Sequence, residues 1–311
     1  MLWVFSKGGE VVKKRLYMRQ KLGFNFYDIA LNAFCIIFAL ICFYPMWYVA
    51  VASITPYEEF IRTDILLWPS KIDFQYYIAI LRTTVFKNSI IISITKTLLA
   101  TGLSLIITSS MAYAVSKTEI KGMKFINALV VFNLFFTGGL IPEYMLYKNI
   151  GILRTYWVMV LPGALNIVYF IIMRNFFSYS TSKDLEEAAK IDGCNDIRIF
   201  FGIILPLSKA MLAAVGLFVA VLNWNDYYSY MMFISNKSEL QPFAWVLRRT
   251  LVDPAMMNQI RNGAVSVGLE LPPPIALRMA TIICAMLPII CVYPFLQKHF
   301  AQGMMLGAVK E

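Results

Sequence analysis

The chain has 311 residues, 59% hydrophobic and only 15% charged, with a net charge of +10. Soluble domains run at about 45–50% apolar and about 25% charged, so water is the wrong medium for most of this chain. The basic excess alone would suit nucleic acid, but its placement on alternate loops fits a membrane protein, and no nucleic-acid partner is expected.

The apolar residues gather into long runs with few charges, the mark of bilayer-spanning helices. Six spans are expected in chain order: Tyr27–Ala52, Ser89–Ala114, Phe125–Tyr147, Tyr156–Phe176, Leu207–Phe233 and Ile275–Leu296. A basic segment, 1–26, holding Lys13, Lys14, Arg15, Arg19 and Lys21, precedes a first run that is too long for a signal peptide and lacks its cleavage pattern. The 1–26 segment, the 115–124 loop, the 177–206 loop with its flanks and the 297–311 tail together hold sixteen Lys and Arg, against nine in the other loops. The chain thus reads as an all-α polytopic membrane protein, with a six-helix transmembrane domain over 27–296 and both termini cytoplasmic.

The second run carries Ser93, Thr97, Ala100, Thr101, Ser104 and Thr108 on one helical face, with Lys96 at its edge. Small polar residues commonly pack membrane helices together, and a lysine can snorkel to the headgroups. Lys96, however, lies roughly 10–13 Å inside the span at about 1.5 Å per residue, farther than its side chain comfortably reaches. It needs a partner, water or an anionic ligand. On the third run Glu143, just after Pro142, is the candidate partner; the competing reading turns Lys96 toward a carboxylate of a ligand. On the fifth run Asn223, Trp224, Asn225 and Asp226 offer stacking and hydrogen bonds to a ligand.

Two loops are too long to be mere connectors. In the cytoplasmic loop, 177–206, Asp184 can cap a short helix that holds Glu187, Ala188 and Ala189, and Gly193 can supply the left-handed residue that ends it. A second helix begins near Asn195 or Asp196 and reaches Pro206. Physics alone makes this elbow either a structural re-entry or a lever for a cytosolic partner. The external loop, 234–274, places Phe243, Val246, Leu247 and Leu251 at helical spacing beside Arg248 and Arg249, and Pro272, Pro273 and Pro274 stop any helix before the last run. That segment is an interfacial helix or a docking surface.

Cys35, Cys42, Cys194, Cys284 and Cys291 include no CxxC, and His299 is the single histidine, so neither a zinc pattern nor a disulfide framework is expected. No catalytic set is legible, and no phosphate-cradling G-x-x-x-x-G-K-[ST] occurs. A secondary transporter would more often show internal repeats and charges relaying ions, and no convincing repeat is visible.

Glu187-Ala188-Ala189, then Asp192-Gly193, then Ile203-Ile204-Leu205-Pro206 resembles the EAA loop of ABC importer permeases, with every fixed position at the right spacing. Asn223 to Tyr227, Gly138 to Pro142, and the ending Tyr293 to Phe300 with Gly303, Gly307 and Lys310 are similar to the carbohydrate branch of that family, near maltose-permease G-type subunits and permeases for complex oligosaccharides. The resemblance implies an ABC type I importer permease fold. It implies that Glu187, Ala188, Ala189, Asp192, Gly193, Leu205 and Pro206 couple to an ATPase, and that the tail with Gly303, Gly307 and Lys310 contacts the ATPases. The implied partners are a second six-helix permease subunit, two copies of a cytosolic ATPase carrying ATP and Mg, and an extracytoplasmic solute-binding protein that delivers an oligosaccharide. No cofactor is implied in this chain itself. Lys96 and Glu143 depart from the branch's uncharged pattern and put a simple neutral-sugar pocket in doubt; with a saccharide as cargo, the competing reading has Lys96 meet a carboxylate of an acidic oligosaccharide while Asn223, Trp224, Asn225 and Asp226 bind its rings.

Overall fold

The computed structural model describes residues 26–63, 66–117, 119–180, 183–266 and 272–307, and every regular element among them is helical. Four stretches among these residues are long and apolar enough to cross a membrane, and two sharply bent helix pairs raise the number to six if each pair is one crossing. Two units divide the chain at Ile72.

The first unit holds α1 (Phe26–Ser53) and α2 (Tyr57–Arg62). The middle of α1 is exposed along its length. Its C-terminal end is tied down: the Trp47 indole N–H donates to Leu67 O at 3.0 Å and its ring stacks on Trp68. Ser70 donates twice to the Glu59 carboxylate, which holds that carboxyl below its ordinary range.

The second unit is built around α4 (Thr84–Ser116), which follows the short α3 (Gln75–Arg82). The face that α4 buries is Ser89, Ser93, Lys96, Ala100, Ser104 and Thr108. Lys96 therefore lies in the middle of the small-residue row, not at its edge, while Thr97 and Thr101 are half-buried beside it. Small side chains let neighbouring helices close in; a Cβ on Gly216 would come within 3.2 Å of Leu105.

The third expected span is broken. Helices α5 (Met123–Phe135) and α6 (Leu140–Asn149) bend by 119°. The cause is Gly139, at φ +85° and ψ 173°, a conformation open essentially to glycine alone. Pro142 does not distort a helix here, because it lies in the first turn of α6 where no backbone N–H is required. The fourth expected span opens with 3₁₀ turns at Tyr156–Met159 and Pro162–Ala164, then runs on as α7 (Ile167–Ser180), capped by Asn166 Oδ1 accepting from Val168 and Tyr169 N–H.

After α7 come α8 (Lys183–Ile191) and α9 (Asp196–Leu207), the latter widened by a π turn over Phe200–Ile204. At Ser208 the chain turns through 82° into α10 (Lys209–Asn225), which ends before the short α11 (Tyr228–Phe233). The 234–274 loop holds α12 (Phe243–Val252) and α13 (Pro254–Ser266). Phe243 and Val246 are buried, with the Phe243 ring packed on Phe86 and Trp224, whereas Leu247 is half-buried and Leu251 exposed. Ser93 Oγ accepts from Phe243 N–H at 2.7 Å, joining α12 to α4.

The last helix, α14, starts at Pro274 as expected but runs to Gly307, beyond the expected end at Leu296. The tail is thus helical through Gly303 instead of breaking at Gln297, since a single glycine costs a helix only about 1 kcal/mol.

Candidate functional site

At the elbow, Asp184 lies inside the first turn of α8 and not at its cap. The other end of α8 is as expected. Gly193 sits at φ +80°, Gly193 N–H donates to Lys190 O, and Cys194 N–H donates to Ala189 O, the paired bonds of a Schellman motif. Two residues on, Asn195 Oδ1 accepts from Arg198 N–H at 2.8 Å and starts α9. Two short helices thus meet at a turn with its backbone groups satisfied.

The elbow has an inner and an outer face. Ala189, Ile199, Phe200 and Ile204 are buried in a core with Phe170, Met173 and Phe177. Ala189 is therefore packing, whereas Ala188 stands outside beside Glu187, Asp192 and Gly193, all exposed. Ile191 is 87% exposed, a large apolar side chain left on the outer face. Leu205 is half-buried and Pro206 exposed at the foot of α9.

Sequence reasoning missed what anchors the inner face. Glu186 is buried and ion-paired with Lys117 at the end of α4, and Lys117 Nζ lies 4.6 Å from the centre of the Tyr113 ring. Glu186 falls on the same helical face as Ala189, which is the one sequence cue to an inward carboxylate. Nothing local points to Lys117. Lys190 and Asp196 bridge the turn itself at 3.4 Å, both largely exposed.

The second cluster lies where α10 ends. Lys96 is wholly buried, and its ammonium donates to Asp226 Oδ2 at 2.6 Å and to the Asp226 backbone carbonyl at 3.0 Å. The lysine finds its partner on the fifth run, so Glu143 is not its counter-ion and Lys96 does not snorkel. The other carboxylate oxygen, Oδ1, accepts from Ser229 N–H at 3.1 Å and so starts α11. One aspartate thereby joins α4, α10 and α11. Glu143 instead accepts from the Tyr147 hydroxyl and lines a separate hollow of about 520 Å³ with Gly138, Gly139 and Tyr228.

The residues next to Asp226 divide as well. Trp224 is turned inward, its indole donating to Ala285 O at 3.0 Å, so it is not a stacking platform for a ligand. Asn223 and Asn225 each donate one turn back along α10, to Val219 O and Val221 O. Asn223 and Asp226 line a cavity of about 180 Å³, together with Asn166, Tyr169 and Ser229. Arg248 of α12 lies over the Tyr227 ring, 4.5 Å from its centre. Gly303 and Gly307 lie in the last turns of α14, and Lys310 falls outside the described residues.

A family model for the binding-protein-dependent transport system inner membrane component matches residues 123–306, a stretch that holds the elbow and the Asp226 cavity. The chain belongs to that family. Among binding-protein-dependent permeases, it is 38% identical over 285 residues to the polygalacturonan/rhamnogalacturonan transport system permease protein YtcP of Bacillus subtilis, covering 91% of this chain and 98% of the relative. Protein LplC of Bacillus subtilis is 38% identical over 266 residues, covering 86% and 88%. A chain of a bacterial ABC transporter involved in the import of the acidic polysaccharide alginate superposes with a TM-score of 0.81 at 30% identity, covering 89% of this chain and 99% of that one. The present chain is thus a multi-pass ABC importer permease of the cell membrane. Membership implies a solute-binding protein and an ATPase as partners.

Proposed function

We propose that this chain is the permease subunit of a carbohydrate importer, with an oligosaccharide as its cargo. Relatives named for polygalacturonan and rhamnogalacturonan, for arabinooligosaccharides and for alginate support that cargo class. The chain crosses the membrane six times with both termini in the cytoplasm, each bent pair serving as one crossing. It pairs with a second six-helix permease. Two copies of a cytosolic ATPase dock below and hydrolyse ATP with Mg, and the solute-binding protein delivers cargo from outside.

The observation that carries this reading is the elbow. Its outer face, Glu187, Ala188, Ile191, Asp192 and Gly193, is exposed, while its inner face is buried and ion-paired to α4. A push on the outer face is therefore transmitted into the bundle instead of being lost in a flexible loop. ATP-driven closure of the ATPases draws the elbow inward, and the turn at Ser208 passes that motion to α10. The helical tail that carries Gly303 and Gly307 supplies a second contact with the ATPases.

Glu187→Lys tests the coupling. Its side chain is exposed, so the variant inserts and assembles normally, while transport-coupled ATP hydrolysis falls at least about tenfold, the loss of roughly one charge-assisted contact. Full coupled hydrolysis in reconstituted Glu187→Lys complexes would remove the elbow from the mechanism.

A further inference from the structure

The cavity beside the end of α10 has an uneven polar lining. Asp226 alone carries a charge among the described residues that line it, and its side chain is 25% exposed. The compensating ammonium of Lys96 is wholly buried, and its bonds to Oδ2 and to the backbone carbonyl both go back to Asp226. A ligand in the cavity therefore meets the carboxylate and not the lysine. Oδ2 accepts from Lys96 and Oδ1 from Ser229 N–H, the Ser229 hydroxyl also bonds the carboxylate, and of the roughly four lone-pair sites of a carboxylate about one is left for a ligand. Asn223 has spent an amide N–H on Val219 O, so its carbonyl oxygen remains to accept. Asn166 is the converse: its carbonyl oxygen is used twice in capping α7, which leaves its amide to donate. Val219 and Leu222 supply apolar surface between these groups.

We propose that this cavity is a subsite for one uncharged, hydroxyl-bearing ring of the transported saccharide, with Asp226 accepting from a ring hydroxyl and Lys96 acting as a positioning residue that holds the carboxylate without touching the ligand. The inference rests on the carbohydrate reading above and narrows it. A cavity of about 180 Å³ suits a single sugar ring. Ring hydroxyls donate to a carboxylate and the C–H faces of the ring pack on apolar side chains, whereas a uronate carboxylate brings a second negative charge against Asp226 with no cation among the described residues of the lining. Acidic rings of a mixed polymer are held elsewhere along the path.

The test is calorimetric binding of galactotriose and of trigalacturonate to the complete complex in nanodiscs. Galactotriose is expected to bind at least about tenfold tighter, and Asn223→Ala to weaken galactotriose alone. Asp226→Asn by itself leaves a buried ammonium uncompensated and threatens folding, so the deciding variant is Lys96→Met with Asp226→Asn, which removes both charges. In that variant the preference should collapse toward parity. Trigalacturonate binding as tightly as galactotriose in the native complex overturns the proposal, as does an unchanged preference in the double variant. Binding of neither probe by a complex that still imports saccharide also overturns it, while leaving the carbohydrate reading intact. A complex that binds neither and imports no labelled saccharide with its binding protein sinks both.

Discussion

The elbow and the end of α10 each hinge on a lysine paired with a carboxylate, yet the pairs are placed in opposite ways. Lys96 is wholly buried and is held by a single residue that offers it both a carboxylate and a carbonyl. Lys117 is 26% exposed and divides its charge between Glu186 and the face of Tyr113. Water can replace a lost partner at the elbow. The wholly buried Lys96 ammonium has no such substitute, so splitting the first pair costs more than splitting the second. On the function proposed above, the first is a fixed point beside the cargo path and the second a loaded but movable joint where force enters.

The largest effect should come from splitting the interior pair. Lys96→Met leaves the Asp226 carboxylate without its cation and strips a donor from the end of α10. It should cost about 3–5 kcal/mol, read as loss of folded protein or a drop in the unfolding midpoint in detergent. Adding Asp226→Asn should restore much of the loss, because a neutral pair leaves no stranded charge. A single variant as stable as the native protein would mean that the pair is not buried in the assembled importer.

Much of this architecture is legible in the amino-acid sequence. Apolar run length locates the membrane helices, and Gly193, Asn195 and Pro274 mark ends at which helices do stop or start. Local chemistry decides such positions, and local chemistry is what a sequence prints. The break at Gly139 is less visible, because a glycine within an apolar run does not announce a positive φ. Run length alone also misjudges α14, whose helix outlasts its apolar stretch. The Lys96 partner lies 130 positions away in the chain. A lone cation and a lone acid in separate apolar runs are the available signal, but Glu143 fits that description as well as Asp226 does. Tyr147, one turn from Glu143, already satisfies it, and that choice is made by packing.

A middling effect is expected at the elbow. Glu186→Gln keeps the shape of α8 and removes the ion pair, at a cost of about 1–2 kcal/mol because both side chains are partly wet. The cost should appear as faster amide hydrogen exchange in α8, and a double-mutant cycle with Lys117→Met should give a coupling energy near the same size. Lys190→Met and Asp196→Asn, at a longer and largely exposed contact, should leave exchange nearly unchanged. Equal responses from the two pairs would erase the distinction between an anchored inner face and a solvated outer one.

The smallest effect belongs to a pair that is local in sequence. On α12, Arg249 Nη2 and Nε bond Asp253 Oδ2 at 2.5 and 3.0 Å, one helical turn apart, while Asp253 Oδ1 accepts from Ala255 N–H and starts α13. The hydrogen bonds from Arg249, aided by the Ala255 N–H, hold the Asp253 carboxyl below the ordinary carboxylate range. A carboxyl whose folded pKa is depressed stabilises the fold above its unfolded value of about 4 and loses that contribution as pH falls through the lowered folded value. Asp253→Asn keeps an oxygen to accept from Ala255 but gives up the charge. Hydrogen exchange at the α12–α13 junction should therefore be faster in the variant at neutral pH, and the native protein should approach the variant's rate as the medium is acidified. A difference that persists unchanged into acid would assign the junction to the shared backbone cap and leave Arg249 no part in holding it.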